Sequence, residues 1–397
     1  MTSSHSATGA RRALIFSLVY YPRFIGGAEV AIKEITDRIS PDTIEFDMIT
    51  LRKQAPAFER IGNVNVYRVG LPWFGSNTKS SKIFPLSKLL YPFFAVFKAL
   101  SLHRKRHYDI TWPMMASYAG FAAFLFKKIY PKVPMMLTVQ EGDNFERRDG
   151  VFSSAFRAIF RAADHIQSIS VFLADWAKGK GATCPITVVP NGVDLELFTR
   201  ELTIAESSEL KRTLGKQEGD VYLITTSRLV TKNAVADIID ALVYLPANVH
   251  LLILGTGPLE MKLREQVRMA QIENRVHFLG FVPHKDMPKY LKVSDIFIRP
   301  SLTEGLGNSF LEAMAARIPV IATPVGGIPD FLTDGETGLL CEVHNPQSIA
   351  QKVEKLIKDR ESREYIVSHA YEMVTRIYDW EQVTASMVAL MKETCGD

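Results

Sequence analysis

Residues 299–323 read RPSLTEGLGNSFLEAMAARIPVIAT and say more about the architecture than any other part of the chain. A strand is predicted to end at Pro300, a glycine-containing loop follows, and a helix is predicted to begin near Asn308 and to end before Pro319. Such a helix start offers backbone amides and the positive end of a helix dipole to an anion. The stretch therefore predicts a phosphate-binding turn at the carboxyl edge of a parallel sheet.

Two glutamates belong to this stretch. Glu304 lies in the loop before the helix and Glu312 lies about one turn inside it, so both can face one pocket. The neighbouring residues Phe310, Leu311 and Met314 are apolar and leave little of this helix for solvent, which disfavours the alternative of two solvated surface acids. The pair is therefore a candidate for binding a polar ligand.

The rest of the chain alternates short β-branched segments with helical patterns, which favours βαβ units and parallel sheets. The predicted strands are Ala13–Val19, Glu45–Thr50, Val64–Val69, Ile110–Trp112, Met135–Thr138, His165–Ser168, Ile186–Val189, Val221–Ser227, His250–Leu254, Val276–Leu279, Asp295–Ile298 and Val320–Thr323. A chain of 397 residues is too long for one ordinary core. The fold class is therefore predicted as α/β, with two doubly wound, Rossmann-like domains in tandem.

The domain limits follow from the pattern of strands. A first domain is predicted over 1–198, a polar linker over 199–219 and a second domain over 220–376. The remaining residues, 377–397, are predicted to form a helix, from Trp380 to Lys392, that packs back on the first domain.

Charge is distributed unevenly. Residues 1–200 carry 26 Lys and Arg against 16 Asp and Glu, while the net charge of the whole chain is only +4. From Arg60 to Gln140 there are twelve Lys and Arg residues and a single acidic residue, Asp109. A surface of one sign attracts anionic partners.

Several classes of protein are disfavoured. Cys184, Cys341 and Cys395 fit no metal-binding spacing and indicate a reducing cytoplasm, and no run of 18 uncharged apolar residues predicts a transmembrane helix. The P-loop, zinc-protease and serine-hydrolase motifs are absent. The turn beginning Gly255-Thr-Gly has Glu260 where a dinucleotide fingerprint needs its third glycine, so an NAD-dependent enzyme is disfavoured as well.

The Glu304 to Glu312 spacing, followed by Ala-Met-Ala and Pro-Val-Ile-Ala-Thr, resembles the signature of family 4 of the GT-B glycosyltransferases. Four other segments match that family in the same order, so the resemblance spans essentially the whole chain. It implies two domains facing a central cleft, a nucleotide-diphosphate sugar as donor in the second domain, and a glycan or lipid-linked acceptor. It also implies hexosyl transfer with retention of the anomeric configuration and no requirement for a cofactor or a divalent metal.

The resemblance also implies roles for individual residues. In the segment Ser227-Arg-Leu-Val-Thr-Lys-Asn, Arg228 and Lys232 correspond to a clamp for the donor diphosphate, although Lys232 seen alone would equally fit a solvated charge at a helix start. Glu304 would lie beside the sugar as the third catalytic residue, and Glu312 would accept from the ribose hydroxyls. Asn233 stands where the family usually has glycine, and a left-handed asparagine would suit that position.

Further donor contacts follow from the same resemblance. Gly26 and Gly27, in a Gly-Gly-Ala-Glu segment, would face the donor, although a plain tight turn is the alternative. The backbone at Phe281 and Val282 would contact the base. The remaining donor-binding candidates are the loop and helix-start residues Gly305, Leu306, Gly307 and Asn308.

Two departures from the family pattern stand out. Relatives carry a histidine after the strand ending near Val139, whereas this chain has Gln140 and Glu141; either could contact the sugar, or Glu141 could accept a proton from the nucleophile. Arg317 replaces a glycine at the end of the signature helix, a change expected to cost little.

An apolar segment joined to a basic cluster covers residues 83–107. Arg104, Lys105 and Arg106 could bind anionic lipid headgroups while apolar side chains enter the interface, and Arg147, Arg148, Arg157 and Arg161 could extend that face. The alternative is a pair of core helices with one solvated basic end. The expected location is cytoplasmic and peripheral, at the inner face of the membrane.

Two rivals remain for the function. A nucleotide-sugar epimerase would share the fold. A nucleic-acid binder would share the basic surface but would need aromatic stacking platforms, and it would have no use for the two glutamates.

Overall fold

The structure is a computed structural model that describes residues 10–22, 24, 26–52, 55–70, 83–140 and 153–396. The chain forms two compact units, one made of Met1–Asn191 with Trp380–Asp397 and the other of Gly192–Asp379. Glu141, Arg147 and Arg148 lie outside the described residues, so their predicted roles stay predictions.

The described strands are β1 (Arg11–Phe16), β2 (Ile44–Leu51), β3 (Phe58–Ile61), β4 (Val64–Val69), β5 (Ile110–Pro113), β6 (Met136–Val139), β7 (His165–Ser168), β8 (Ile186–Val188), β9 (Val221–Thr226), β10 (Val249–Leu254), β11 (Val276–Gly280), β12 (Ile296–Arg299), β13 (Val320–Ala322) and β14 (Leu339–Leu340). The α-helices are α1 (Gly27–Arg38), α2 (Ile83–Arg106), α3 (Tyr118–Ile129), α4 (Ser153–Ala162), α5 (Val171–Gly179), α6 (Leu195–Thr199), α7 (Ile204–Leu214), α8 (Val235–Ala241), α9 (Glu260–Met269), α10 (Met287–Val293), α11 (Asn308–Ala315), α12 (Pro346–Lys358), α13 (Arg360–Ile377) and α14 (Trp380–Cys395).

The first unit is built on a sheet of order β3-β4-β2-β1-β5, in which only the β3–β4 pairing is antiparallel. Backbone bridges join β5 to β6, which continues into β7 and β8. One core of this unit packs Phe46 and Trp112 from the sheet against Ile32 of α1 and Met387 of α14. The C-terminal helix therefore completes the core of the first unit.

The second unit contains a parallel sheet of order β11-β10-β9-β12-β13-β14. The order of the strands reverses between β9 and β12, so the loops that follow these two strands meet at the carboxyl edge of the sheet. Open α/β sheets bind their ligands at such a switch point. The prediction of two doubly wound α/β domains is confirmed.

Residues 199–219, which were predicted to be a linker, are part of the second unit, which begins at residue 192. Helix α7 begins with a capping box between Thr203 and Glu206 and ends at the left-handed Gly215. The Tyr222 hydroxyl, in the sheet, donates to the Leu214 carbonyl at the end of α7. This polar stretch is therefore a helix anchored to the second unit.

Arg317 has a strained backbone conformation that the sequence did not reveal. It follows α11 with a φ of 60°, a left-handed conformation that is unfavourable for a residue with a Cβ by about 1–2 kcal/mol. Its guanidinium lies over the ring of Tyr371, with Cζ 3.7 Å from the centroid. The stacking offsets part of the backbone strain.

The strain and the stacking together predict different outcomes for two substitutions. Arg317→Ala should lower the free energy of unfolding by about 1 kcal/mol, because it loses the stacking and keeps the strain. Arg317→Gly should be close to neutral, because it loses both. Denaturant unfolding of the two variants measures the difference, and equal stability of the two would contradict the strain.

Two histidines on neighbouring strands, His250 and His277, stack with ring centroids 5.7 Å apart. Burial lowers the pKa of both imidazoles below the ordinary value of 6.5, and His250 lowers the pKa of His277 further. The unfolded chain then binds protons that the folded chain does not. These two histidines therefore do not reduce the stability of the fold above pH 6.5. As the pH falls through 6.5 towards their pKa values in the folded chain, they destabilise it.

The thermal midpoint is accordingly expected to be lower at pH 5.5 than at pH 7.5. His277→Phe should reduce that fall, since the phenylalanine ring fits the stack and does not titrate. Scanning calorimetry at both pH values tests this, and the same pH dependence in both proteins would contradict it.

Helix α2 is a single helix rather than the alternative helix pair. Its inner side buries Tyr91, Ala95 and Ala99, whereas four large apolar side chains on the opposite side are exposed. These four, which we call the α2 stripe, are Leu86, Leu89, Phe93 and Phe97. Their spacing of three and four residues places them on one helical face. Along the described ranges, no helix has the length and apolar character needed to cross a membrane.

The basic end of α2 differs from the prediction. Arg104 and Lys105 are exposed, whereas Arg106 is only partly exposed and forms ion pairs with two acidic residues of β2. Its Nη2 lies 2.8 Å from Glu45 and its Nε lies 3.1 Å from the buried Asp47. These ion pairs raise the pKa of Arg106 in spite of its partial burial. Arg106 therefore anchors α2 to β2.

Candidate active site

A cavity of about 270 Å³ opens at the carboxyl ends of β9, β10 and β11. It is lined by four of the predicted site residues, Arg228, Phe281, Val282 and Glu312. The other lining residues are Thr226, Ser227, Leu254, Gly255, Thr256, Met287 and Ser309. A larger cavity of about 510 Å³ lies near the amino ends of β12 and β13 and contains none of the predicted site residues. The smaller cavity is therefore the candidate site, because it lies at the ligand-binding edge of the sheet.

The loop after β9 carries Arg228 and Lys232 and is tied to the loop after β12. The Leu302 amide donates to the Lys232 carbonyl at 2.7 Å, and the Asn233 side chain donates to the Arg228 carbonyl, also at 2.7 Å. The left-handed residue in this loop is Ala234, with φ 47°, and not Asn233 as expected. Asn233 contributes through its amide group, which fixes the turn between the two basic residues.

Glu304 lies in the loop between β12 and α11, and its side chain is buried. One carboxylate oxygen, Oε2, accepts from Arg299 Nη2 at 2.8 Å. The other, Oε1, accepts from the Gly305 amide at 3.1 Å and lies 4.0 Å from Lys232 Nζ. The structure thus brings Lys232 and Glu304 together. The Gly305 amide, which was predicted to bind the donor, donates to Glu304 instead.

Arg299, to which the sequence analysis gave no role, connects Glu304 to the cavity. Its Nη1 donates to the hydroxyl of Ser309, which lines the cavity, at 2.6 Å, and its Cζ lies 4.2 Å from the centroid of the Phe310 ring. Burial lowers the pKa of the Arg299 guanidinium, and the nearby Glu304 carboxylate opposes that shift. A basic residue at the end of a wholly buried strand was the signal in the sequence.

The backbone of Glu304 is held by the glycine turn after β13. The Gly327 amide donates to the Glu304 carbonyl at 3.1 Å. Gly326 has a φ of 58°, and a Cβ at that position would lie 1.9 Å from the same carbonyl oxygen. Only glycine allows this close approach.

Glu312 is held by a second residue that the sequence analysis missed. His284 Nε2 lies 3.0 Å from Glu312 Oε1, a distance at which the ring nitrogen donates to the carboxylate. The His284 ring also packs against the fully buried Phe198 of α6, with centroids 5.3 Å apart. His284 comes shortly after the predicted base contacts Phe281 and Val282, and this proximity was the available signal.

The start of α11 agrees with the predicted turn. Gly307 is its N-cap, with a φ of 95°, and Asn308 is the first helical residue. Leu306 is buried, so only its backbone can contribute to binding a ligand.

The first-unit candidates are held by internal hydrogen bonds. The Gly26 amide donates to the buried Glu29 side chain at 2.9 Å, and burial raises the pKa of that carboxyl group. This amide is therefore used as a helix cap, while Gly27 begins α1. The Gln140 side chain donates to the Asn191 side chain at 3.2 Å.

Two family models match the chain. The model described as Glycosyltransferase Family 4 matches residues 25–197, and the model described as Glycosyl transferases group 1 matches residues 206–373. The chain belongs to the family 4-like GT-B glycosyltransferases. The two matches fall one on each unit of this glycosyltransferase, apart from a few residues at the junction.

Known relatives resemble the enzyme over most of its length. An uncharacterized glycosyltransferase of Methanocaldococcus jannaschii is 26% identical over 94% of this chain and 96% of its own. A GDP-mannose-dependent phosphatidylinositol monomannoside mannosyltransferase of Mycobacterium tuberculosis is 28% identical over 61% of this chain and 65% of its own. The solved structure of HepE from Anabaena, in complex with UDP and glucose, has a TM-score of 0.77 at 20% identity and covers 96% of this chain and 100% of its own. The structural likeness confirms the GT-B fold.

Proposed function

We propose that this glycosyltransferase transfers a hexosyl group from a nucleotide-diphosphate sugar to a glycan or lipid-linked acceptor at the cytoplasmic surface of a membrane, with retention of configuration. One observation carries the proposal. Arg228, Phe281, Val282 and Glu312 line a single cavity, and Arg299 links this cavity through Ser309 to the Glu304–Lys232 pair.

The geometry supports a division of roles within the second unit. Arg228 and Lys232 supply positive charge for the diphosphate, and the amino end of α11 adds its dipole. The backbone at Phe281 and Val282 contacts the base, and Glu312 accepts from the ribose hydroxyls. Glu304 then lies beside the sugar. This arrangement would place the anomeric carbon between the phosphate-binding cations and the carboxylate.

In the proposed reaction, the bond between the anomeric carbon and the phosphate oxygen breaks, and the acceptor oxygen bonds to the same face of that carbon. The acceptor proton passes to the departing phosphate. The protein positions the reactants and stabilises the developing charges. Because Arg228 and Lys232 provide the cationic charge, we expect chelation of divalent metals by EDTA to leave the rate unchanged.

A panel of UDP-, GDP- and ADP-sugars, screened by thermal shift, identifies the donor, because a ligand bound to the folded state stabilises it by RT ln(1+[L]/Kd). Proton NMR of the product formed from an α-linked donor then reports the configuration, and a β-linked product would contradict retention. Conversion of the donor sugar to its epimer without any acceptor would favour the epimerase alternative.

The α2 stripe supports the membrane part of the proposal. The exposed apolar side chains Leu86, Leu89, Phe93 and Phe97 end near the exposed Arg104, which lies on the same helical face at seven residues from Phe97. Phe121 of α3 adds an aromatic ring, 6.4 Å from that of Phe93. Apolar side chains beside basic ones match the interface of an anionic bilayer.

Replacing both Phe93 and Phe97 with serine is therefore expected to weaken binding to phosphatidylglycerol vesicles by at least about tenfold, because two rings no longer enter the bilayer. Cosedimentation measures this. The matched control replaces Met261 and Met269 of α9, which are 86% and 72% exposed, with serine and should bind as the unsubstituted chain does. Failure of the unsubstituted chain to bind anionic vesicles at low salt would contradict the membrane role.

A further inference from the structure

Arg299 ends a buried strand, is 7% exposed, and is covered by the ring of Phe310. Because of this burial, its guanidinium acts on the site through Glu304 and Ser309. We infer that Arg299 is a positioning residue that occupies Glu304 and thereby keeps the Lys232 ammonium oriented towards the donor diphosphate. The inference rests on the proposed function of this site.

The first step concerns how the oxygens of Glu304 are shared. Oε2 accepts from Arg299 at 2.8 Å, whereas Oε1 accepts from the Gly305 amide and lies 4.0 Å from Lys232 Nζ. Nitrogen donors bond oxygen at 2.7–3.2 Å, so the ammonium is attracted by Glu304 without being hydrogen-bonded to it. Arg299 and Gly305 together hold the carboxylate.

The second step concerns charge. Arginine stays protonated in proteins, so the Arg299–Glu304 pair is close to neutral. Glu304 therefore does not cancel the positive charge of Lys232, which acts on the diphosphate together with that of Arg228. Two positive charges match the diphosphate that the site is proposed to bind.

The third step follows from removing the guanidinium. Without Arg299, the buried Glu304 carboxylate would have Lys232 as its nearest cation. A lysine side chain is flexible and its ammonium is a compact charge, so it would close the 4.0 Å gap and form a direct ion pair. The charge available to the diphosphate would fall, although Arg299 itself is out of reach of the ligand.

Calorimetric titration with UDP, GDP and ADP, and with uridine, guanosine and adenosine as probes that lack phosphate, tests this chain of effects. Arg299→Met is expected to weaken binding of whichever diphosphate the unsubstituted chain binds by about tenfold or more, and to leave the nucleoside unaffected. Arg299→Met combined with Glu304→Gln removes both buried charges and should restore diphosphate affinity, while turnover stays lost because Glu304 is gone.

Arg299→Lys gives a second route, because it keeps the charge next to Glu304 and loses the bond to Ser309. It should bind the diphosphate within about threefold of the unsubstituted chain, and this comparison stands even where Arg299→Met does not fold. Equal weakening of diphosphate and nucleoside, or a double variant that remains weak, would show a merely structural role and overturn the inference. If the unsubstituted chain bound none of UDP, GDP and ADP, the proposed function would be overturned, and the inference with it.

Discussion

Replacing Lys232 with methionine is expected to lower kcat/KM by about a hundredfold to a thousandfold while the thermal midpoint changes little. Loss of one preorganised donor to a developing anion has effects of that size. The lysine side chain is 19% exposed, and methionine keeps an unbranched apolar stem in its place, so most of its packing is retained. Steady-state kinetics with the donor identified by thermal shift, together with calorimetry, measures both quantities.

The matched control is Lys211→Met on the exposed face of α7, which removes the same charge from the same unit and should leave both quantities unchanged. Full activity of Lys232→Met, with or without a loss of stability, would show that Lys232 is not a catalytic residue. Glu304→Gln should behave as Lys232→Met does in the kinetic assay.

The second large effect is expected for Gly326→Ala. The new Cβ would lie 1.9 Å from the carbonyl oxygen of Glu304, in a backbone conformation with a φ of 58°. Either the turn or the Glu304 loop has to move, which should lower the free energy of unfolding by about 2–4 kcal/mol. Because Glu304 shifts with its backbone, we also expect at least about a tenfold loss of kcat/KM.

Gly335→Ala separates the effect of the left-handed backbone from the effect of the close contact. Gly335 is also left-handed, with a φ of 80°, but a Cβ there would meet no atom within 4 Å. This variant should lose only about 1 kcal/mol of stability and keep its activity. If Gly326→Ala resembled Gly335→Ala in both assays, the close approach of Gly326 to Glu304 would contribute to neither stability nor activity.

The strands of the parallel sheets could be predicted because their apolar segments are continuous and flanked by helical patterns. The edge strand β3 was missed, since Phe58–Ile61 is short, partly exposed and antiparallel to β4. The strand β14 has only two residues, Leu339 and Leu340, which is too few for a periodicity to appear. Predicted strand ends were off by up to three residues because turns such as Ser17–Val19 continue an apolar run.

The structure brings several of the predicted site residues to one cavity, whereas the residues that hold them in place were not predicted. Arg228, Glu304 and Glu312 stand in motifs whose spacing has a chemical meaning. Arg299 and His284 act through other side chains, so their partners become visible only when the chain is folded. The roles of Gly326 and Ala234 depend on backbone angles. The glycines at 326 and 327 indicate a turn but not its contact with the Glu304 loop, and an alanine gives no signal of a left-handed conformation.

The return of α14 to the first unit has a consequence for synthesis. Trp380, Val383, Met387 and Leu390 belong to the same core as the strands at the start of the chain. On the ribosome, that core therefore stays incomplete until α14 has been translated, whereas all of Gly192–Asp379 has by then been synthesised. A fragment that stops at residue 191 would expose this apolar surface, and we expect it to aggregate rather than to fold as an independent domain.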